Sequence, residues 1–491
     1  MTESTSFEAD PLADDLSVEV PKENVKTKRK FDLSITEGPL GKAVWKIAWP
    51  TMLTNVIAGM QNLVDQIMVG NLIGYKANAA IGVSNQIFIL VIVFISSVFI
   101  GMSVMVARFT GARNHEKVNR TVYQAFLTAV FIAVFIMAPL GYFASPYLLN
   151  LISNDAGVKA EALPFLRISF AFSIGLLIYF MTSGALRAAG DARTPMIMGV
   201  TMTLLNLGLN VVLIRGLGPI PAFGTAGSAM GTAIATGSVG IYAIYSLWSG
   251  RWVVGFPRGS GWGPDWSVIR SLFKFGLPSG IQGVMGNVGG FLMFWFMGSL
   301  VNGGAAQAAY AVCYGQLFSL IVWGSNGLMG ATSAVVGQNL GAGHQDRAYS
   351  AVRTAASFGL AGSLFLGTIF FVFPHQLLAI FGMTDPDAVA IGTQLLTVLA
   401  FSGLFISVAL TYTGGLQGSG DTKSPLFISI ASQVVVPLGI CFVIKQTSTL
   451  QPLHIWLAVL AGHVTRCTLS VLRFIQGKWR SIRVDIETTH A

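Results

Sequence analysis

The hexapeptide Gly190-Asp191-Ala192-Arg193-Thr194-Pro195 returns 230 positions later as Gly420-Asp421-Thr422-Lys423-Ser424-Pro425. The same offset of 230 relates Gly111-Ala112 to Gly341-Ala342, Glu116-Lys117 to Asp346-Arg347, Gln86 to Gln316, Asp155 to Asp385 and Gly184 to Gly414. Pro50 and Pro278 match at 228, which places a two-residue indel in or after the first span. The chain is therefore built twice from one plan, and the question becomes what one copy contains.

Composition answers it. Of 491 residues 53% are hydrophobic and only 10% are charged, and the mean hydropathy is +0.66. Soluble globular proteins carry about 25% charged residues, and disorder needs the opposite balance. Long apolar runs such as Ile87–Ile100 and Ala125–Leu140 do not alternate as the strands of a membrane barrel do. A helix needs about 20 apolar residues to cross a bilayer. Twelve stretches qualify, near 44–70, 77–106, 121–143, 161–183, 194–215, 225–249, 271–300, 307–336, 350–373, 389–412, 425–445 and 452–475. Six spans separate the two copies, and an even number preserves orientation, so the halves are parallel repeats about an axis along the membrane normal. The expected fold is an all-α membrane protein with twelve transmembrane helices in two pseudo-symmetric six-helix lobes.

Charge sets the orientation. With the N-terminus inside, 24 of the 30 lysines and arginines lie on the inner side, four lie outside, and Arg167 and Arg466 fall within spans. This is a strong positive-inside bias, so both termini are expected in the cytoplasm of a multi-pass inner-membrane protein. The expected divisions are a disordered tail over 1–36, an N-lobe over 37–249, a cytoplasmic linker over 250–269, a C-lobe over 270–476 and a second tail over 477–491. The first 20 residues carry six acids, no base and no apolar core, unlike a signal peptide. Five bases follow over 22–30, a segment that either touches anionic headgroups or is only solvated. Cys313, Cys441 and Cys467 are far apart in apolar stretches and have no metal or disulfide spacing.

Two similar lobes suit alternating access around a central cleft. The string Val64-Asp65-Gln66-Ile67-Met68-Val69-Gly70, the Ala107-Arg108-Phe109-Thr110-Gly111-Ala112 loop and the doubled GD-x-[RK]-[ST]-P loops resemble the multidrug and toxic compound extrusion (MATE) family over about residues 40–475. The resemblance implies a V-shaped transporter that exports small, often cationic or amphipathic compounds in exchange for Na⁺ or H⁺. It implies no cofactor beyond that coupling ion. The expected partners are a small-molecule substrate, a monovalent cation or proton and the lipid bilayer, with no nucleic acid, and the expected state is a monomer. The rivals are a lipid-linked precursor flippase of the same superfamily and a channel or scaffold without coupling.

Twenty of the 21 acids lie in tails, loops or span ends, and the one well inside a span is Asp65. A carboxylate there costs about 2.5–3.5 kcal/mol on insertion scales, so it is expected to face a polar cavity and act, a structural bridge between helices being the alternative. Asn206 and Asn210, at i and i+4, share one face of the fifth span, a spacing that also serves helix–helix hydrogen bonding. The resemblance gives the cation or proton site to Asp65, Asn206, Asn210 and, at the end of a glycine-rich stretch, Thr232. Where the family pattern has a second acid this chain has Asn210. The seventh and tenth spans lack the acids that some members carry, so coupling is expected through the N-lobe. Gln86 and its counterpart Gln316, with Gln282, Asn287 and Tyr310, are candidate cleft residues. In the GD loops, glycine makes the turn, Thr194 or Ser424 caps and proline starts the next helix. Arg187, Asp191, Arg193, Asp421 and Lys423 could also latch the cytoplasmic face. Neither a P-loop nor a nucleophile elbow occurs, and no enzymatic activity is expected.

Overall fold

The computed structural model describes residues 31–152, 155–257, 262–300 and 303–484. The expected tail residues 1–30 and 485–491 lie outside the described residues. Among the described residues there is no strand, and twelve long helical segments follow one another. They are α1 (Leu40–Leu72), α2 (Tyr75–Gly111), α3 (His115–Ile152), α4 (Ala156–Ala171 and Ile174–Ala188), α5 (Arg193–Arg215) and α6 (Gly224–Ser249). The second set is α7 (Trp266–Gly298), α8 (Gly303–Gly341), α9 (Gln345–Val372), α10 (Pro386–Ser419), α11 (Lys423–Thr447) and α12 (Pro452–Ile475). Each expected span falls on one of them.

Nine of these helices are long and apolar enough to cross a membrane, and α4 makes a tenth if its two halves, bent by 51°, count as one span. The two left over, α1 and α7, have 33 residues each and so have the length. Their deficit is in apolarity: α1 carries Asn55, Gln61, Asp65 and Gln66, and α7 carries Ser279, Gln282 and Asn287. Polar side chains in a spanning helix belong where they meet protein or water rather than lipid. That the two copies of the first helix share this property shows the repeat working at the level of environment. Around the outside, Phe143, Leu151, Ile241, Phe291 and Phe365 are exposed, as a lipid-facing surface requires.

Each lobe has its own apolar core, with Phe99, Met102, Phe170 and Leu177 in the first and Phe318, Phe370, Leu399 and Trp456 in the second. The lobes meet by exchange: α1 packs on α8 and α2 on α7. Where α2 and α8 end, a methyl group on Gly111 would overlap the carbonyl of Gln338, and one on Gly341 would overlap that of Arg108. Since 111 pairs with 341 and 108 with 338 at the repeat offset, this is one backbone contact made twice about the pseudo-axis. Only glycine permits it.

The GD loops are also the same structure twice. Gly190 and Gly420 both have φ of +98°, a left-handed conformation that favours glycine. The capping differs from expectation: Asp191 accepts the Thr194 N–H and hydroxyl at 3.0 and 2.6 Å, and Asp421 accepts those of Ser424 at 3.1 and 2.8 Å. The carboxylates cap, and the hydroxyls donate to them.

Three further features depart from the sequence reading. The fold begins before the boundary expected at 37, because Ile35 is fully buried within a short 3₁₀ turn, Leu33–Ile35. It continues past 476, with Trp479 fully buried against Phe474. The linker is fastened to α3: Tyr123 donates to the Trp262 carbonyl, Gln124 to that of Gly263, and the Gly255 N–H to Asn119. The seventh helix accordingly starts at Trp266, four residues before the boundary expected at 270.

Candidate functional site

Asp65 on α1 is only partly exposed and faces α5. The Asn210 amide donates to its Oδ1 at 2.8 Å. Asn206 and Asn210 are buried on one face of α5, as their i, i+4 spacing requires, and Thr232 comes from α6. Asn206 satisfies both ends of its amide when the nitrogen faces Asp65 Oδ1 at 3.1 Å and the oxygen faces the Thr232 N–H and hydroxyl at 3.1 and 2.9 Å. This orientation is assigned from the hydrogen-bond network. The fold therefore brings Asp65, Asn206, Asn210 and Thr232 into one cluster.

Two members escaped the sequence reading. Gln61 lies 3.1 Å from the Asn206 amide, and the Thr203 hydroxyl donates to Gln61 at 2.8 Å. The signal was present: Gln61 is four residues before Asp65 and Thr203 three before Asn206, so each lies on the same helix face as a recognised residue.

One atom of the cluster is unsatisfied. Asn210 Oδ1 is buried with no hydrogen-bond partner. It lies against Gly231, where a side chain would overlap it. Buried carbonyl oxygens are almost always paired, so an orphan needs a reason. The donor set supplies one: a carboxylate, carboxamide oxygens and a hydroxyl are the ligands of a hard cation. Because an Asn amide offers nitrogen or oxygen by turning over, the same side chains can stabilise ionised Asp65 alone or present oxygen to an ion. No group of three or more His, Cys, Asp or Glu placed to hold a metal ion occurs among the described residues.

Each of the candidate cleft residues is described by its own partners rather than by a contact with another of the five. Gln86 and Asn287 are exposed, Asn287 donating to the Gly283 carbonyl at 2.9 Å. Gln282 is buried and accepts from Gln417 at 3.4 Å. Tyr310 stacks on Tyr314 and Trp456 at 4.7 and 6.1 Å, and Gln316 lies on a π-helical turn, Cys313–Phe318, within α8. Of the five latch candidates, Asp191 bonds to Thr194, while Arg187 lies against Gly330 of α8 at the lobe seam. Asp421 pairs with Arg473 of α12 at 2.8 Å, a partner outside the expected set. The three cysteines are free, two of them buried.

Two six-helix bundles, each repeating the other, with one intramembrane acid held by amides of its own bundle, define a polytopic membrane protein of the internal-repeat type. The MatE family pattern matches the chain twice, at residues 50–212 and 278–443. The chain belongs to that family. The two matches start at the same prolines, Pro50 and Pro278, that anchor the repeat in the sequence. The chain is 28% identical, over 89% of its length and 93% of the relative's, to a protein of Thermotoga maritima described as probable multidrug resistance protein NorM. It is 25% identical to probable multidrug resistance protein YoeA of Bacillus subtilis, with coverage of 92% and 97%. In three dimensions it matches an outward-facing multidrug resistance MATE family transporter with a TM-score of 0.84 at 20% identity, covering 92% of this chain and 98% of that one. A Pyrococcus furiosus transporter of the MOP superfamily, described as having a binding pocket of reversed polarity, matches with a TM-score of 0.85, also at 20% identity, with coverage of 92% and 100%.

Proposed function

We propose that this protein is a secondary-active antiporter that exports small organic, cationic or amphipathic compounds in exchange for Na⁺ or H⁺. The family and the relatives named as multidrug resistance proteins support export as the activity. The observation that carries the coupling is the cluster around Asp65, with its one carboxylate and the unpaired buried oxygen of Asn210.

The mechanism follows from what those groups can hold. The substrate enters between the lobes from the cytoplasm while Asp65 is free of its ion. A proton or Na⁺ at Asp65 then removes the need for two amide donors, and Asn206 and Asn210 are released to turn. Their helix, α5, packs on α1 and α6, so a change in these bonds alters how the three helices fit. An ion can shift the balance between inward- and outward-facing states only by binding one of them better. Amide rotation at the α1–α5–α6 junction supplies that difference. The protein acts as a monomer in the inner membrane, with both termini in the cytoplasm.

The test is uphill efflux of ethidium from proteoliposomes under separately imposed Na⁺ and pH gradients. One gradient drives efflux by the wild type, and Asp65→Asn abolishes that response while leaving the protein folded. Undiminished uphill efflux by the folded variant refutes the assignment of Asp65.

A further inference from the structure

The C-lobe holds a second polar cluster of opposite character. On α12, His463, Arg466 and Ser470 share one face at spacings of three and four residues, and Trp456 continues the stripe seven residues earlier. All four are buried, Arg466 to 8% exposure and His463 to 7%. Each leaves a buried polar atom without a partner: Trp456 Nε1, His463 Nδ1, Arg466 Nε and Ser470 Oγ. Among the described residues, Arg466 has neither an ion pair nor a hydrogen bond. A guanidinium inside a membrane costs about as much as a carboxylate and is normally matched by an acid or by carbonyls. The sequence places no acid within the spanning parts of α7 or α10, and α12 carries none.

The surroundings are built for more than packing. Tyr314 and Phe318 stack on His463 with centroids 6.4 and 5.5 Å away, and both stand on the π-helical turn of α8. A second π-helical turn, Ala431–Val435 of α11, lies against the same helix, close enough that a side chain on Gly462 would overlap the Ser432 carbonyl. π turns recur at functional sites, and here two converge on one stretch of α12. Arginine and tryptophan only donate hydrogen bonds. The stripe is thus short of acceptors and carries a positive charge, the reverse of the Asp65 cluster.

We propose that the C-lobe interior at Arg466, with His463 and Ser470, binds the carboxylate of an organic solute carried by this protein. The two lobes then recognise opposite charges, the N-lobe a cation at Asp65 and the C-lobe an oxyanion at Arg466. As a statement about the solute carried, this rests on the export reading. Its test uses binding without any gradient, so a failure of ion coupling leaves it standing.

The experiment titrates full-length detergent-solubilised protein with rhodamine B, which has a free carboxylate, and with its ethyl ester, reading fluorescence anisotropy. A charge-assisted hydrogen bond to the carboxylate predicts that the acid binds about tenfold tighter than the ester. Arg466→Gln brings the two affinities together, and Arg466→Lys keeps the acid ahead by restoring the charge. Equal affinities for acid and ester in the wild type overturn the site, and this arm needs no variant to fold. So does a folded Arg466→Gln protein that still prefers the acid.

Discussion

Gly231 shows how finely the Asp65 cluster is fitted. A methyl group there would overlap Asn210 Oδ1, the unpaired buried oxygen of the site. Gly237, two turns further along α6, has open space where its Cβ would be. Alanine favours a helix over glycine by about 1 kcal/mol, so Gly237→Ala should be neutral or stabilising. Gly231→Ala should instead cost about 1–3 kcal/mol through overpacking. It should also impair gradient-driven efflux, because Asn210 can yield only by turning its N–H away from Asp65. Thermal stability and efflux of the two variants, measured side by side, decide this. A Gly231→Ala protein as stable and active as Gly237→Ala would show that the close contact does not position Asn210.

At the scale of the element, the start of α7 is set by one carboxylate. Asp265 accepts the N–H groups of Ser267 and Val268 at 3.0 and 3.4 Å and the Ser267 hydroxyl at 2.8 Å, and it pairs with Arg120 of α3. Burial alone would raise its pKa, but the Ser267 hydroxyl, Arg120 and the two backbone donors outweigh that and hold it below the ordinary carboxylate value. A depressed folded pKa means stability that is present above the unfolded pKa and lost as pH falls through the folded one. Asp265→Ala should therefore cost about 0.5–2 kcal/mol near neutrality, the usual loss of an N-cap, and the deficit should shrink below about pH 4. Melting curves of both proteins against pH test this, and a deficit that does not change on acidification contradicts the capping role. None of this was legible in the chain beyond the existence of the helix. Apolar runs pointed to the helices, α1 and α7 included despite their polar residues, and the recurrence of GD-x-[RK]-[ST]-P gave the duplication, because both can be read along the chain without knowing which helices face each other. The bend in α4, the π turns and the Asp421–Arg473 pair depend on what another helix presents across the gap, and no local pattern encodes that. The Asp65 cluster was intermediate. Asp65 stood out because acids are rare in membranes, whereas Gln61 and Thr203 became members only once α1 and α5 were seen to face each other.

Over the whole molecule, the pseudo-axis ends in a seam on the face that carries both terminal segments, and the two halves close it in matching ways. Arg108 at the end of α2 donates to the carbonyls of Ser419 and Ile482 at 3.2 and 3.0 Å. Its counterpart Gln338, 230 residues on, donates to the Ala188 carbonyl at 2.7 Å. Each terminal segment lies across this seam. Ile35 packs on Gly190 and its carbonyl accepts from Arg347, while Ile482 and Val484 pack on Gly420. Glu37 pairs with Arg113 at 2.5 Å and Arg480 with Asp346 at 3.3 Å, although pairs this exposed add little. The seam is thus held chiefly by a few buried or half-buried donors, and Arg108 is the one that ties α2 to both α10 and the C-terminal segment. Hydrogen bonds from a charged group are each worth about 1.5–3 kcal/mol, so Arg108→Met should raise the population open on this face about tenfold or more. Spin labels at Glu116 and Gln345, exposed positions at the starts of α3 and α9, report the opening as a second, longer distance in pulsed dipolar spectra of a protein lacking its native cysteines. If the folded Arg108→Met protein gives the wild-type distance distribution, the seam is held by helix packing at Gly111 and Gly341 rather than by the arginine.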